Sequence, residues 1–412
     1  MSSRSDFKEL FGNKEFNAFL CMRVCLTLAL QIQAVVVGWQ IYKLTEDPLS
    51  LGLIGLAEAI PALSIALYAG HVADTQSKRK ILIYALGFLW LCSLGLLLAT
   101  MDEFVLFFGA TISVRAMYTF IFLSGIARGF IGPTGFAFLA QMVKREWLTR
   151  ASTLNSTAWQ LAAIAGPALG GILYAMIEIT PTFMVVIFFM TLAWCTLFFI
   201  KPKPVLLQSG TEKISVRLKE GIRFVFKHKV ILSALSLDLF AVLFGGAVAL
   251  LPVFAHEVLH VGPQGLGLLR AAPSLGASIT MIWLSVNSHI NKPGVVLLCC
   301  VGAFGACMIG FALSTSFYLS LLLLFLSGAF DSVSVVIRGN ILQLQTPDEM
   351  RGRVSAVNTM FIGSSNEIGA FESGVAARLL GTVPSVVFGG SMTLLIVGFT
   401  AIKAKALRRF SY

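Results

Sequence analysis

Twelve apolar stretches recur along the 412-residue chain, near residues 17–42, 50–72, 80–100, 115–142, 152–177, 182–200, 230–255, 264–286, 294–313, 317–344, 353–377 and 383–402. Their lengths lie near the roughly 20 to 25 residues that a helix needs to cross a bilayer, and tilt or a short protrusion into water absorbs the excess of the longer ones. In hydrocarbon a backbone must satisfy its own N–H and C=O groups, so stretches of this length are helices. The predicted fold is an all-α membrane protein of twelve transmembrane helices. Only 12% of the residues are charged and 57% are hydrophobic, against about 25% charged in ordinary soluble domains, which leaves no room for a large soluble domain. The segment 101–116 reads equally as loop or as extended helix. The start, MSSRSDFKELFGNKEF, is charged and mixed, and the apolar stretch after it is too long for the core of a signal peptide, so the first span is expected to be retained.

The net charge of +11 does not indicate nucleic acid, because cations in a multi-span protein gather in cytoplasmic loops. Twenty-four of the 31 Lys and Arg residues fall in the N-terminal tail, the even-to-odd loops, the segment 201–228 and the C-terminal tail. All of these lie on one side if the spans alternate, which predicts that both termini face the cytoplasm. Residues 201–228 are the one long polar insert, and Leu218, Ile222, Val225 and Phe226 share a helical face opposite Lys and Arg. That pattern predicts an interfacial amphipathic helix lying on the bilayer; a site for a calmodulin-like or nucleic-acid partner is the sharper alternative. The seven cysteines lie in apolar stretches without metal-type pairing and read as packing residues. His256, Glu257 and His260 resemble a loose metal cluster, but one short loop cannot complete a site, and no metal or cofactor is expected.

The second half of the chain repeats the first. At an offset of 203, Phe122-Leu123-Ser124-Gly125 matches Phe325-Leu326-Ser327-Gly328, and Arg150, Ser152, Asn155, Gly166 and Gly171 match Arg353, Ser355, Asn358, Gly369 and Gly374. At an offset of 212, Gly55 to Pro61 matches Gly267 to Pro273, so the first half is nine residues longer around its third span. Both copies start from the same side, which makes them parallel repeats. The expected organisation is a six-helix bundle over 1–200, a linker over 201–228 and a second six-helix bundle over 229–412.

After the second span stands Gly70-His71-Val72-Ala73-Asp74-Thr75-Gln76-Ser77-Lys78-Arg79-Lys80. It is similar to the loop motif G-x-L-a-D-r-x-G-r-k of the major facilitator superfamily: Gly70, Asp74, Lys78 and Arg79 match, while Thr75 and Ser77 depart. In the fifth span, Gly166-Pro167-Ala168-Leu169-Gly170-Gly171 resembles the GPxxGG motif of that superfamily's antiporters, with Ala162 in place of the leading glycine. The wording around Gly38-Trp39-Gln40-Ile41-Tyr42 and Pro48-Leu49-Ser50-Leu51-Gly52 looks like bacterial exporters of the siderophore and multidrug type. The resemblance covers essentially the whole chain. It implies two six-helix bundles with a cavity on their common axis, and a conformational latch at Gly70, Asp74, Lys78 and Arg79. Physically, a small residue suits the turn, the carboxylate caps a helix N-terminus, and the cations hold the cytoplasmic surface.

Charges inside spans are costly and read as functional. The fourth span carries Arg128-Gly129-Phe130-Ile131-Gly132, similar to the family pattern R-x-x-q-G, and its repeat equivalent is Asp331. Arg128 and Asp331 are expected to pair across a central cavity, with pairing of a purely structural kind as the alternative. Arg338 lies two turns beyond Asp331 on the same face, where it either neutralises Asp331 in cis or binds an anionic substrate. Glu58 and Arg270 occupy equivalent positions before Pro61 and Pro273; Asp238 and Glu367 are further proton-carrier candidates. Structural pairs of Glu58 or Glu367 with Arg270 or Arg378 are the competing reading. Gln33 and Gln40, seven apart on one face, and Asn358 with Asn366 are candidate substrate contacts.

These features point to a secondary transporter of the bacterial inner membrane, monomeric, exporting small amphiphilic molecules against inward proton flow. An importer, or a metal or lysolipid transporter, is the alternative on the same fold; a receptor or membrane-embedded enzyme is the alternative outside transport. No nucleophile with its base and no ligand cluster supports an enzyme, and no GxxxxGK[ST] segment supports ATP-driven transport. The orientation is checked by thiol labelling of intact cells. A cysteine at Asp102 should react with an impermeant reagent and one at Lys213 should not; the reverse result overturns the span assignment.

Overall fold

The computed structural model describes residues 12–204, 214–286, 291–347 and 350–410. Twelve long helices carry the fold: α1 Lys14–Thr45, α2 Pro48–Thr75, α3 Lys78–Thr100, α4 Ala110–Met142, α5 Leu148–Ile177, α6 Ile179–Thr196, α7 Lys229–Gly245, α8 Gly262–Val286, α9 Pro293–Leu313, α10 Phe317–Gln345, α11 Arg351–Leu380 and α12 Thr382–Lys403. No strand occurs among the described residues. Among the described residues eleven segments, α11 being the helix left out, are long and apolar enough to cross a membrane. The thirty residues of α11 reach about 45 Å at 1.5 Å each, but Asn358, Asn366, Glu367, Glu372 and Arg378 lower its hydropathy.

The chain divides into two units, Met1–Thr45 with Ala57–Gly210, and Glu46–Leu56 with Thr211–Tyr412. The first turns of α2 thus group with the second unit, where the Cβ of any side chain at Gly374 would lie 2.9 Å from the Gly52 Cα. Inside the first unit α1 packs on α5 and α6, and α3 on α4 and α6; inside the second, α7 packs on α11 and α12, and α9 on α10 and α12. The repeat read in the sequence is therefore also a repeat of packing. It extends to single residues. A Cβ at Gly125 would stand 2.4 Å from the Glu58 carbonyl oxygen, and one at its equivalent Gly328 1.9 Å from the Pro273 carbonyl oxygen. Helices can approach this closely only where the side chain is a hydrogen atom.

Two local features differ from a plain run of spans. Residues 101–116 form neither a loop nor one long helix: a short helix, Asp102–Phe108, ends at Gly109, whose φ of +84° favours glycine, and α4 starts at once. In the other repeat α9 and α10 are joined by Ser314–Ser316 alone, so the short helix takes up most of the extra length of the first half. The expected seventh span, 230–255, breaks after Gly245-Gly246 into a 3₁₀ turn (Ala247–Leu250), one α turn beginning Leu251-Pro252, and a π turn (Phe254–Val258). A glycine pair and a proline are ordinary causes of such breaks.

Polar side chains finish the helix ends. Asn13 Oδ1 accepts from the backbone N–H groups of Glu15 (3.0 Å) and Phe16 (3.2 Å) at the start of α1, while its Nδ2 donates to the Met142 carbonyl at the end of α4 (3.1 Å). Lys203 pairs with Glu15 at 2.5 Å, tying the segment after α6 to the same place. The linker helix, Ile214–Lys227, packs on α7 and α11. Gly221 and Val225 are buried, and Ile222, Arg223, Phe226 and Lys227 are exposed. The Leu218 side chain lies outside the described residues. Glu220 pairs with Arg353 at the start of α11.

The glycine contacts make a stability prediction. Gly125→Ala and Gly328→Ala should each destabilise the detergent-solubilised protein by about 1 to 3 kcal/mol, the usual cost of overpacking. Gly132→Ala, whose Cβ would meet nothing within 4 Å, should leave the thermal midpoint unchanged or raised. Equal midpoints for all three would refute the close helix contacts.

Candidate functional site

In the second unit α10 carries Asp331, Ser334 and Arg338 at spacings of three and four, which places them on one stripe. The Arg338 guanidinium is 6% exposed and forms an ion pair with Asp238 of α7, whose side chain is 8% exposed. Asp331 reaches the same guanidinium at 4.0 Å, with its side chain 46% exposed. Arg338 Nε also donates to the Ser334 carbonyl at 3.3 Å, and the Ser334 hydroxyl is buried without a partner. Asp238, Asp331 and Ser334, with Ala241, Val242, Val301 and Phe304, line a pocket of about 220 Å³ counting its open mouth. Two carboxylates thus compete for one cation, one of them engaged and buried, the other open to the pocket. A proton arriving there has an accessible acceptor in Asp331, and its arrival would leave Asp238 as the only counter-charge of Arg338.

In the first unit Arg128 of α4 pairs with Glu58 of α2. The side chains are 27% and 26% exposed, and the guanidinium Nε is buried without a partner. The sequence pairs Arg128 with Asp331, and its competing reading of Glu58 pairs that residue with Arg270 or Arg378. The observed pairing differs because the glycine at 125 brings the α2 and α4 backbones together at the level of Glu58, one turn from Arg128. The equivalent positions in the second unit carry Arg270 and Asp331, the same two sites with the charges exchanged. Arg378 pairs with Asp47 at 3.4 Å.

The remaining candidates spread over several environments. Gln33 is buried and accepts from Ser93 on α3 at 2.7 Å, and Gln40 is buried and accepts from the Tyr174 hydroxyl on α5 at 3.3 Å. Both amides therefore join helices of the first unit. Glu367 lies on α11 with its Oε2 3.0 Å from where a Cβ on Gly55 would stand; Asn358 and Arg270 are half-buried and Asn366 is exposed. His260 places its ring nitrogen 3.0 Å from the His256 carbonyl oxygen. No group of three metal-binding side chains occurs among the described residues.

The latch residues sit in helices more than in a loop. Gly70 and Asp74 belong to the last turns of α2, and only Gln76-Ser77 separates it from α3. The turn expected at Gly70 is therefore helix, and a Cβ there would meet open space. The Asp74 side chain lies outside the described residues. Lys78 is buried in the first turn of α3, and Arg79 donates to the carbonyls of Leu197 (3.1 Å) and Phe198 (3.4 Å), capping the end of the α6 segment as a cation does at a helix C-terminus. The GPxxGG residues form the α1–α5 seam: a Cβ at Gly166 would lie 2.5 Å from the Gln31 Cβ, and one at Gly170 3.1 Å from the Ile32 Cα.

Two charged residues escaped the sequence reading. Arg23 is the sole charge within residues 17–42, and Glu372 is half-buried one to two turns beyond Glu367. Both were marked by the same signal as the others, a charge inside an apolar stretch.

Two six-helix units with matching internal packing, and charges held inside membrane-length helices, define a transporter of the major facilitator type. The family model described as transmembrane secretion effector matches residues 11–411, and the chain belongs to that family of membrane exporters. It is 27% identical over 415 residues to the enterobactin exporter EntS of Salmonella typhi, covering 96% of this chain and 93% of that one. It is likewise 27% identical over 409 residues to the enterobactin exporter EntS of Escherichia coli O1:K1 / APEC, with the same coverage. Among solved structures it is similar in fold to a D-xylose–proton symporter (TM-score 0.73, 13% identity, 93% of this chain and 96% of that one). It is also similar to a bacterial homologue of the iron transporter ferroportin in an inward-facing state (TM-score 0.71, 14% identity, 96% and 99%). The family is one of transporters and not of enzymes.

Arg338 serves two carboxylates, so its loss strands both. Arg338→Gln should destabilise the protein by about 3 to 5 kcal/mol, the usual cost of an uncompensated buried charge. Asp238→Asn should cost less, because Asp331 remains to neutralise Arg338, and Asp238→Asn with Arg338→Gln should recover part of the loss. Denaturation of the solubilised protein reads the order, and an Arg338→Gln variant as stable as the parent refutes the cluster.

Proposed function

We propose that this protein exports small amphiphilic, siderophore-like molecules from the bacterial cytoplasm in exchange for inward-moving protons, by alternating access. It does so as a monomer of the inner membrane with both termini cytoplasmic. The observation that carries the reading is the Asp238–Arg338–Asp331 cluster on the second-unit pocket. A buried acid–base network in a membrane span is expensive to maintain and marks an ion or proton pathway. Asp331 takes the proton, because it is the exposed carboxylate; Asp238 holds Arg338 in place meanwhile. The Glu58–Arg128 pair is the corresponding charged element of the first unit, with Arg270 and Glu367 as further candidates for coupling. Gly70, Asp74, Lys78 and Arg79 act as the conformational latch, and Gly166, Pro167, Gly170 and Gly171 set the α1–α5 approach on which helix movement depends. The substrate class is supported by the enterobactin exporters to which the chain is similar along nearly its whole length.

The test uses purified protein in sealed proteoliposomes, with enterobactin as probe and an imposed pH gradient. The parent should accumulate enterobactin against its concentration gradient in the direction opposite to proton flow. Asp331→Asn should abolish gradient-driven accumulation while leaving downhill exchange within about threefold of the parent. Full pH-driven accumulation by Asp331→Asn overturns the proton assignment, and no movement of enterobactin by the parent overturns the substrate class.

A further inference from the structure

Arg23 differs from Arg128 and Arg338, two other arginines inside the spans. Arg128 and Arg338 each have a carboxylate within their own unit. Among the described residues no carboxylate and no hydrogen-bond acceptor reaches the Arg23 side chain, and its Nε is buried without a partner. A cation in a membrane span with no counter-charge is strongly unfavourable. Its persistence inside an apolar stretch points to an anion that arrives from outside the chain.

Two further unsatisfied polar groups lie at the same depth. Helices α1 and α4 run antiparallel, and their register is set by the Phe19–Phe138 ring contact at 6.2 Å and the Asn13–Met142 hydrogen bond. Arg23 is one turn beyond Phe19, and Thr134 is one turn back from Phe138, each along the face that makes the contact. The Thr134 hydroxyl is fully buried and has no partner. Helices α1 and α5 run parallel, with Gln31 beside Gly166 and Gln40 bonded to Tyr174. That register puts Asn155 level with residue 20, about 4.5 Å from the level of Arg23 at 1.5 Å per residue. The Asn155 Oδ1 is also buried and unpartnered, but it is an acceptor and adds nothing to an anion site. Two packed helices thus bring one guanidinium and one hydroxyl, each with an unpartnered group, to one level of the first unit. Both are donors that suit an oxyanion, and the planar guanidinium takes a carboxylate or phosphate through two parallel hydrogen bonds.

We propose that Arg23, with Thr134, forms an oxyanion-binding site in the first unit that takes the acidic group of an amphiphilic cargo molecule. The proposal rests on the exporter reading above and narrows its substrate class to anions. It makes Arg23 a specificity-determining residue: neutral analogues of a cargo molecule lose the guanidinium contact, and the buried cation then has no counter-ion. A lipid phosphate has the same chemistry, so the test separates the two sources.

The experiment measures equilibrium binding of dansylglycine, a carboxylate, and dansylglycinamide, its uncharged analogue, to full-length protein in phosphatidylcholine nanodiscs at neutral pH without any gradient. The parent should bind the carboxylate at least tenfold more tightly than the amide. Arg23→Gln should bring the two affinities within twofold, Arg23→Lys should keep part of the preference, and Thr134→Asp, which supplies an internal counter-ion, should abolish it. Arg115→Gln, an exposed cation on α4, should leave it intact. The thermal midpoint of Arg23→Gln should not fall below that of the parent, since no carboxylate is stranded, which separates loss of the site from loss of the fold. Equal affinities in the parent, or an undiminished preference in Arg23→Gln, overturn the proposal. Loss of the preference in nanodiscs containing phosphatidylglycerol assigns the site to lipid and overturns its role in cargo recognition. Proton coupling is read separately in the Asp331 experiment, so either assignment fails without the other.

Discussion

Every charge placed in a bilayer-spanning helix has to be neutralised within a few ångströms, because the surrounding hydrocarbon supplies neither water nor counter-ion. That requirement organises the helices of this protein as firmly as their apolar faces do. Arg338 is held by Asp238 from a neighbouring helix and by Asp331 from its own, and Arg128 by Glu58. For Arg128 and Glu58 the pair joins two helices that Gly125 has already brought close, so there the packing comes first and the electrostatics exploit it. A buried ion pair contributes little net stability of its own, since desolvation offsets most of the attraction. What it confers is a position, and a position that depends on protonation is what a proton-driven machine requires.

The duplication explains why the pairs occur where they do. Gly125 and Gly328 make the same close approach to the neighbouring helix in their respective units, and the charged positions beside them are the same two positions in both. Their signs are reversed: Glu58 and Arg128 in one repeat, Arg270 and Asp331 in the other. A duplicated scaffold that keeps its contacts while exchanging its charges acquires two chemically different halves at no cost in packing. The extra acid of the second repeat, Asp238, then creates an arrangement with two carboxylates and one cation, which the first repeat does not reproduce at Glu58 and Arg128.

Much of this was legible in the sequence, and the limits have physical causes. The twelve helices follow from length and hydrophobicity alone, with boundaries a few residues short because the helices continue past the apolar core into polar ends, as at Lys14 and Thr45. The repeat was visible in Gly125, Gly328, Gly166 and Gly369 because close helix approach leaves no freedom of residue type. Gly245-Gly246 and Pro252 were equally visible, but whether such residues bend a helix or end it depends on neighbours that a one-dimensional pattern does not contain. Most of the charged residues were legible, and so was the approach of Arg338 to Asp331, but the partners of Arg128 and Glu58 were not. Pairing Arg128 with Asp331 relied on symmetry between halves, whereas the shorter route to neutrality lay on the adjacent helix of the same unit. Gln33 and Gln40 share a helical face in sequence, but that face meets α3 and α5, and only the packing tells a buried amide that joins helices from one that lines a cavity.

Arg23 shows how a charge that breaks the neutrality rule carries more information than those that obey it. For Arg128 and Arg338 the bound counter-charge belongs to the protein and is always present. For Arg23 it must be imported, so occupancy of the first unit and its electrostatic comfort are the same event. An anionic cargo group at Arg23 and a proton at Asp331 each remove an imbalance of charge from their own unit, and exchange requires that they alternate, cargo on the outward stroke and proton on the inward one. A unit whose buried charges are balanced crosses between conformations with less desolvation work than one left charged, and cells gain from a transporter that moves only when loaded. Binding energy and the cost of burying charge are then one free-energy difference seen from two sides, and coupling between cargo and proton needs no direct contact between their sites.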